Sequence, residues 1–284
     1  MPGQIIKQIS DTWSVLTESG IIECKARGKF RNIKESPVVG DNVIVDMNNH
    51  IINEILPRTN TLTRPVVANV DIALIVTSLK KPDLSLSLLD KQLVVIKSNN
   101  ITPVICLTKL DLLTKDEKKD IKGIIHYYES IGIKVLDNNH LFKLKRLLNK
   151  RLVVLTGQTG AGKSSLLNKL GKDLNIDTSP ISEALNRGVH TTRHSEIYKI
   201  GKIRFIDTPG FSALDLTGIT KETLRDNYPE FKKYKCSFKD CFHEKEKGCE
   251  VRSALERKEI LTSRYDNYIR FLGECNESSS KLYK

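Results

Sequence analysis

No stretch of the 284 residues approaches the roughly 18 consecutive apolar residues that a membrane-spanning helix needs. The first residues, Met1-Pro2-Gly3-Gln4-Ile5-Ile6-Lys7, lack the long apolar core of a secretory signal. Both absences point to a cytoplasmic protein with no membrane partner. No internal repeat or low-complexity tract is present, so neither a solenoid nor a disordered tail dominates the chain. Cysteine is scarce, at six residues, and three of the six fall within fourteen positions around a histidine. In a cytoplasmic chain that clustering favours a metal site over a disulfide framework.

Negative charge is also in short supply: 46 Lys and Arg face 34 Asp and Glu, a net charge of +12. The excess is uneven. Residues 1–63 balance seven against seven, residues 64–215 carry 24 basic against 15 acidic, and residues 216–284 carry 15 against 12. A basic chain without a membrane segment suits an anionic partner, nucleic acid first. With 39% hydrophobic residues there is material for a real core.

The patterning changes twice, which divides the chain into three parts. Residues 1–63 contain short apolar runs between turns, at Thr12–Thr17, Gly20–Cys24, Asp41–Val45 and Ile51–Ile55, at a spacing that fits a small all-β barrel. Pro57 and Pro65 bracket an expected linker. Residues 64–215 alternate buried-strand patterns (Asp71–Val76, Thr102–Leu107, Leu152–Leu155, Ile203–Ile206) with helical spacing such as Leu86–Ser98, the signature of a parallel α/β sheet covered on both faces. Residues 216–284 read as helical, interrupted by the Cys/His cluster. The apolar spacing from Val251 to Leu272 predicts one long helix or two shorter ones, with a frayed polar end.

The most specific motif is Gly157-Gln158-Thr159-Gly160-Ala161-Gly162-Lys163-Ser164, followed by Ser165. A buried strand runs into it and a helix runs out. Glycines there let backbone N–H groups wrap a phosphate while the helix N-terminus adds positive potential. Lys163 is placed to reach β- and γ-phosphates and the Ser164 hydroxyl to bind Mg²⁺. Asp207-Thr208-Pro209-Gly210 follows the strand Ile203–Ile206, so Asp207 is expected on the Mg²⁺ side and the Gly210 N–H at the γ-phosphate. Between the two lies Arg187-Gly188-Val189-His190-Thr191-Thr192-Arg193, where Thr191 and Thr192 are both candidates for the switch threonine that closes the Mg²⁺ shell. Position 211, where many GTPases hold a water-orienting Gln, is Phe211. His190 is then the nearest polar side chain to do that work.

Guanine readers use Asn-Lys-x-Asp after a buried strand; here the run is Thr108-Lys109-Leu110-Asp111. The Asp111 carboxylate can accept from guanine N1–H and N2–H₂, and adenine would leave it unpaired. Thr108 has a shorter reach than Asn, so one hydrogen bond to the base edge is lost or rerouted. The second base loop is expected at Leu136-Asp137-Asn138-Asn139-His140 and is degenerate. The base motif thus precedes the phosphate loop, the reverse of ordinary GTPases, which implies a circular permutation.

Cys236, Cys241, His243 and Cys249 form a closed set of four ligands, suited to one structural Zn²⁺. Cys24 and Cys106 lie in apparent strands and read as small core residues. Six lysines near the cluster (Lys232, Lys233, Lys235, Lys239, Lys245, Lys247) suit RNA phosphates or form a solvated face. Lys25, Arg27, Lys29 and Arg31 would share one face if that segment is extended.

Arg27-Gly28-Lys29, Val39-Gly40-Asp41, Arg64-Pro65-Val66-Val67-Ala68-Asn69-Val70-Asp71, the phosphate loop, Arg187–Thr192, Asp207–Gly210 and the Cys/Cys/His/Cys set together resemble the bacterial ribosome small-subunit-dependent GTPase A family over nearly the whole chain. The resemblance implies an OB-fold barrel over residues 1–63, a circularly permuted GTPase domain over 64–215 and a helical zinc-binding domain over 216–284. It implies a monomeric factor of late 30S ribosomal subunit maturation that binds GTP, GDP and rRNA and hydrolyses GTP faster on the 30S particle. Thr108 and the missing Ser-Ala base loop depart from the pattern.

Overall fold

The computed structural model describes residues 1–28, 30, 36–63, 66–173, 195–207 and 215–281. Five strands at the N-terminus close on themselves: β1 (Pro2–Ile9), β2 (Thr12–Thr17), β3 (Gly20–Ala26), β4 (Asn42–Asp46) and β5 (Ile51–Ile55), in the order β1-β2-β3-β5-β4 with β4 returning to β1. Alternating residues (Ile5, Trp13, Val15, Val43, Val45, Ile52) fill the interior, as a small barrel requires. Asp41 is fully buried at its rim, where its carboxylate accepts from the Val38 N–H at 2.8 Å and from Arg58 at 2.7 and 2.8 Å. Gly40 beside it has φ +96°, and a Cβ there would sit 2.0 Å from the Ala68 carbonyl oxygen. Only glycine admits that approach.

The expected linker is instead a hairpin, β6 (Thr61–Thr63) against β7 (Val66–Ala68), with Leu62 and Val67 buried. The basic run is not one strand: β3 ends at Ala26 and a turn follows, closed by the Phe30 N–H donating to the Arg27 carbonyl at 3.1 Å. Gly28 sits in that turn, and Lys29 and Arg31 lie outside the described residues.

Six further strands form a sheet in the order β10-β9-β8-β11-β13-β12: β8 (Ile72–Ser78), β9 (Thr102–Thr108), β10 (Lys134–Asp137), β11 (Leu152–Thr156), β12 (Glu196–Ile200) and β13 (Ile203–Asp207). All neighbours are parallel except β12, which runs antiparallel to β13. The strands β8, β9 and β11 are buried on both faces, which explains their unbroken apolar sequences. Helices α1 (Leu86–Ser98), α2 (Lys115–Ser130), α3 (Leu141–Leu148) and α4 (Lys163–Asp173) follow strands β8 to β11 in turn. Ser85 caps α1 by accepting from the Leu88 N–H, and Thr114 and Glu117 form a reciprocal capping box on α2.

Barrel and sheet are joined edge to edge, because β1 pairs with β12 at Lys7 and Glu196. Lys7 and Glu196 also form an ion pair at 3.0 Å, and Arg204 donates to Gln4 at 2.6 Å.

The C-terminal part holds α5 (Lys221–Asp226), a 3₁₀ turn at Pro229–Lys233, α6 (Glu250–Glu256) and α7 (Thr262–Lys281). The predicted helical stretch is therefore two helices, and the second continues to Lys281 where fraying was expected. Tyr228, Phe231, Tyr268 and Phe271 share one core with Val94 and Val95 of α1, so this part packs onto the sheet domain through α1.

Candidate active site and metal centre

Parallel strands bring their C-terminal ends to one edge, where open α/β sheets bind ligands. Here that edge carries the phosphate loop after β11, the Thr108–Asp111 run after β9, Asn138–His140 after β10, and Asp207 as the last residue of β13. Strands β11 and β13 are hydrogen-bonded neighbours, so the phosphate loop and Asp207 leave the sheet side by side. Of the residues expected to act on one nucleotide, those that are described, far apart in sequence, come to one edge.

The phosphate loop is shaped by its glycines. Gly157 has φ +131°, and a Cβ there would lie 2.0 Å from the Val76 carbonyl oxygen. Gly160 and Gly162 also have positive φ, at +78° and +96°. The loop closes with the Ala161 N–H donating to the Gln158 carbonyl, and α4 starts with the Leu166 N–H on the Gly162 carbonyl. Lys163 is half-buried and its ammonium donates to the Gly157 and Gln158 carbonyls at 2.7 and 2.9 Å. Burial lowers its pKa. Ser164 and Ser165 are exposed at the head of the helix.

Thr108 is buried beneath this loop. Its hydroxyl donates to the Ala161 carbonyl at 2.6 Å. The bond that a longer Asn was expected to share with the base edge goes to the phosphate loop. Lys109 has φ 60° and sends its ammonium across to the Gly160 carbonyl at 2.9 Å and to the Lys81 carbonyl. Leu110–Leu112 form a 3₁₀ turn that leaves Asp111 exposed. The degenerate second loop is tied by Asp137, whose carboxylate accepts from the Asn139 N–H at 2.9 Å and contacts His140 Nδ1 at 2.8 Å. His190, Thr191, Thr192, Gly210 and Phe211 lie outside the described residues.

The metal centre is compact. His243 Nδ1 lies 3.5 Å from the sulfurs of both Cys236 and Cys249, and those sulfurs are 3.9 Å apart. With Cys241 included, all four ligand atoms fall within 4.8 Å of one another. A tetrahedral Zn²⁺, with Zn–S about 2.3 Å and Zn–N about 2.0–2.1 Å, places sulfurs about 3.8 Å apart and sulfur and nitrogen about 3.6 Å apart. The donor set fits zinc, and 3.9 Å excludes a disulfide, which needs about 2.05 Å. Burial pushes the Cys241 thiol up to about 12 and the Cys249 thiol upward, so a cation is what would hold them as thiolates. Burial also lowers the His243 pKa, which favours the neutral, ligating imidazole. Tyr265 and Tyr268 donate to the His243 and Phe242 carbonyls at 2.6 and 2.8 Å, fixing the loop. Cys24, Cys106 and Cys275 are buried apart from the cluster.

One cluster escaped the sequence. Arg264 of α7 is buried between Asp90 of α1 and Glu230, at 2.7 Å from each. Asp90 also accepts from Tyr128 and from Asn267, both at 2.6 Å. Burial opposes the charge on Arg264, but the two carboxylates hold its pKa above the ordinary value. The available signal was its position in α7: Arg264, Tyr268 and Leu272 recur every four residues, on the face that is buried.

Comparison with known proteins gives the same picture over the full length. A model described as RsgA GTPase matches residues 55–217, and one described as RsgA N-terminal domain matches residues 2–51. The chain is 44% identical over 282 residues to the small ribosomal subunit biogenesis GTPase RsgA 2 of Oceanobacillus iheyensis, covering 96% of each. It is 42% identical over 292 residues to the small ribosomal subunit biogenesis GTPase RsgA of Enterococcus faecalis, covering 100% of this chain and 98% of that one. Among solved structures it resembles YloQ, a circularly permuted GTPase, with TM-score 0.82 and 35% identity over 97% of this chain and 95% of that one. It resembles YjeQ from Thermotoga maritima with TM-score 0.82 and 32% identity over 96% and 98%.

Proposed function

The chain belongs to the RsgA GTPase family, and from that premise we propose that it hydrolyses GTP as a late maturation factor of the small ribosomal subunit. The observation that carries the reading is the docking of Thr108 and Lys109 onto the phosphate loop, which joins a guanine-type motif to a phosphate cradle at one sheet edge. The proposed division of labour is a barrel over residues 1–63 and a zinc-binding domain over 216–284 that grip the 30S subunit and its rRNA, flanking a GTPase domain over 64–215. The protein acts as a monomer in the cytoplasm.

In this reading the loop amides from Gly157 to Lys163 surround the phosphates, and the Lys163 ammonium exchanges its two loop carbonyls for β- and γ-phosphate oxygens. There it offsets charge that grows on the transferring group. Asp111 selects guanine. Ser164, Asp207 and either Thr191 or Thr192 would hold Mg²⁺, which would supply charge neutralisation at the phosphates. Gly210 senses the γ-phosphate and His190 orients the attacking water on the 30S particle. Zn²⁺ on Cys236, Cys241, His243 and Cys249 is structural, since the protein fills all four positions.

The test is multiple-turnover phosphate release with and without purified 30S subunits. The reading expects stimulation by orders of magnitude, as with partner-completed sites elsewhere. A flat rate would sink it.

A further inference from the structure

Beside the metal centre lies an open groove of about 560 Å³ that none of the nucleotide chemistry uses. Its walls carry Arg225, Lys232, Lys235 and Lys239 against a single acid, Asp226, which is paired with Arg225 at 3.1 Å. The three lysines are exposed. Phe238 stands among them with 57% of its surface open to solvent, and the half-buried Tyr234 lines the same groove. Cys236 and His243 also line it, so the groove borders the metal centre.

We propose that this groove binds single-stranded RNA, with lysines 232, 235 and 239 on the backbone phosphates and one unpaired base stacked on Phe238. The groove pairs two features, cationic lysines and an exposed aromatic ring. Lysines alone would suit any polyanion, an acidic peptide included. An exposed aromatic ring set among cations matches a nucleobase face flanked by phosphates, because every base offers a π-face to stack on it. Duplex RNA offers phosphates and shape but no free base face, so the unpaired strand is the better fit. The inference rests on the small subunit as partner and assigns the zinc-bearing end a particular kind of rRNA element.

The experiment uses the full-length, zinc-loaded protein and a fluorescent twelve-nucleotide single-stranded RNA of mixed sequence, with oligoglutamate as the competing polyanion. Phe238→Leu should weaken RNA binding about tenfold, and Phe238→Tyr should restore it. Lys235→Glu with Lys239→Glu should flatten the salt dependence by about 1.4 in slope. Phe238→Trp should add an indole fluorescence that is quenched by unlabelled RNA of the same sequence and not by oligoglutamate. All variants spare the four metal ligands, and one zinc per chain confirms an intact loop. RNA affinity of Phe238→Leu within twofold of the parent, an indole signal in Phe238→Trp that RNA leaves unquenched, or equal displacement by oligoglutamate each overturns the proposal. Failure of the parent protein to co-sediment with 30S subunits would instead defeat the functional reading, and leaves the oligonucleotide comparison to decide the groove on its own.

Discussion

Arg264 bridges Asp90 and Glu230 at 2.7 Å on either side, in a pocket that leaves all three side chains almost without solvent contact. Asp90 belongs to α1 of the nucleotide-binding sheet domain, and Arg264 to α7 of the zinc-bearing part. Two residues beyond Asp90, Gln92 donates to the Thr156 hydroxyl at 3.1 Å, and Thr156 is the residue before the phosphate loop. The helix α1 therefore touches the C-terminal domain through Asp90 and the base of the active site through Gln92.

Removing the guanidinium leaves two carboxylates buried together. Arg264→Met should cost about 3–5 kcal/mol, the range for stranding buried charge. The measurement is the urea midpoint of the whole chain. A loss under about 1 kcal/mol would mean that water reaches the cluster and screens it as it does a surface pair.

Gly157→Ala should disable the phosphate loop. The new Cβ meets the Val76 carbonyl oxygen at 2.0 Å in a backbone conformation of φ +131°. Moving either segment distorts the cradle at a cost of about 1–3 kcal/mol or more. Equilibrium binding of fluorescent GDP should weaken at least about tenfold. Parent-like binding would show that the loop does not need the observed conformation.

The sequence made some of this legible for physical reasons. Strands β8, β9 and β11 are buried on both faces, so their apolar runs are unbroken. The metal ligands were legible because a tetrahedral site constrains spacing along a short loop. Strand β1 was not, because Gln4, Lys7 and Gln8 interrupt its alternation while it pairs with β2, β4 and β12 in different stretches. The Lys25–Arg31 pattern misled because alternation only aligns charges on a strand, and the chain turns after Arg27. Arg264 and Asp90 are 174 residues apart, so only the tertiary fold reveals the ion pair.

Zinc removal should act locally. Chelation, or Cys249→Ser, should release one zinc per chain and expose the loop between Tyr234 and Cys249 to protease. Nucleotide binding should be retained, because the cluster shares no residue with the sheet edge that carries the phosphate loop and sites without shared partners contribute additively. The check is zinc content and limited proteolysis alongside GDP titration. A loop that stays protected without metal would show that Tyr265 and Tyr268 suffice to hold it.

Thr108 and Asp111 stand in one motif and separate by their contacts. The Thr108 hydroxyl donates to the Ala161 carbonyl, which ties it to the phosphate loop. Thr108→Val keeps the shape and deletes that bond, at about 1 kcal/mol, or roughly fivefold in affinity for any nucleotide. Guanine and adenine nucleotides should weaken together, leaving their ratio unchanged. Asp111→Asn should do the reverse: the carboxylate proposed to accept from guanine N1–H and N2–H₂ is gone, and preference should move from guanine toward xanthine. Competitive titration with GDP, ADP and XDP reads both outcomes. If Thr108→Val changes the ratio, the hydroxyl takes part in base recognition, and the bond to Ala161 is not its principal role.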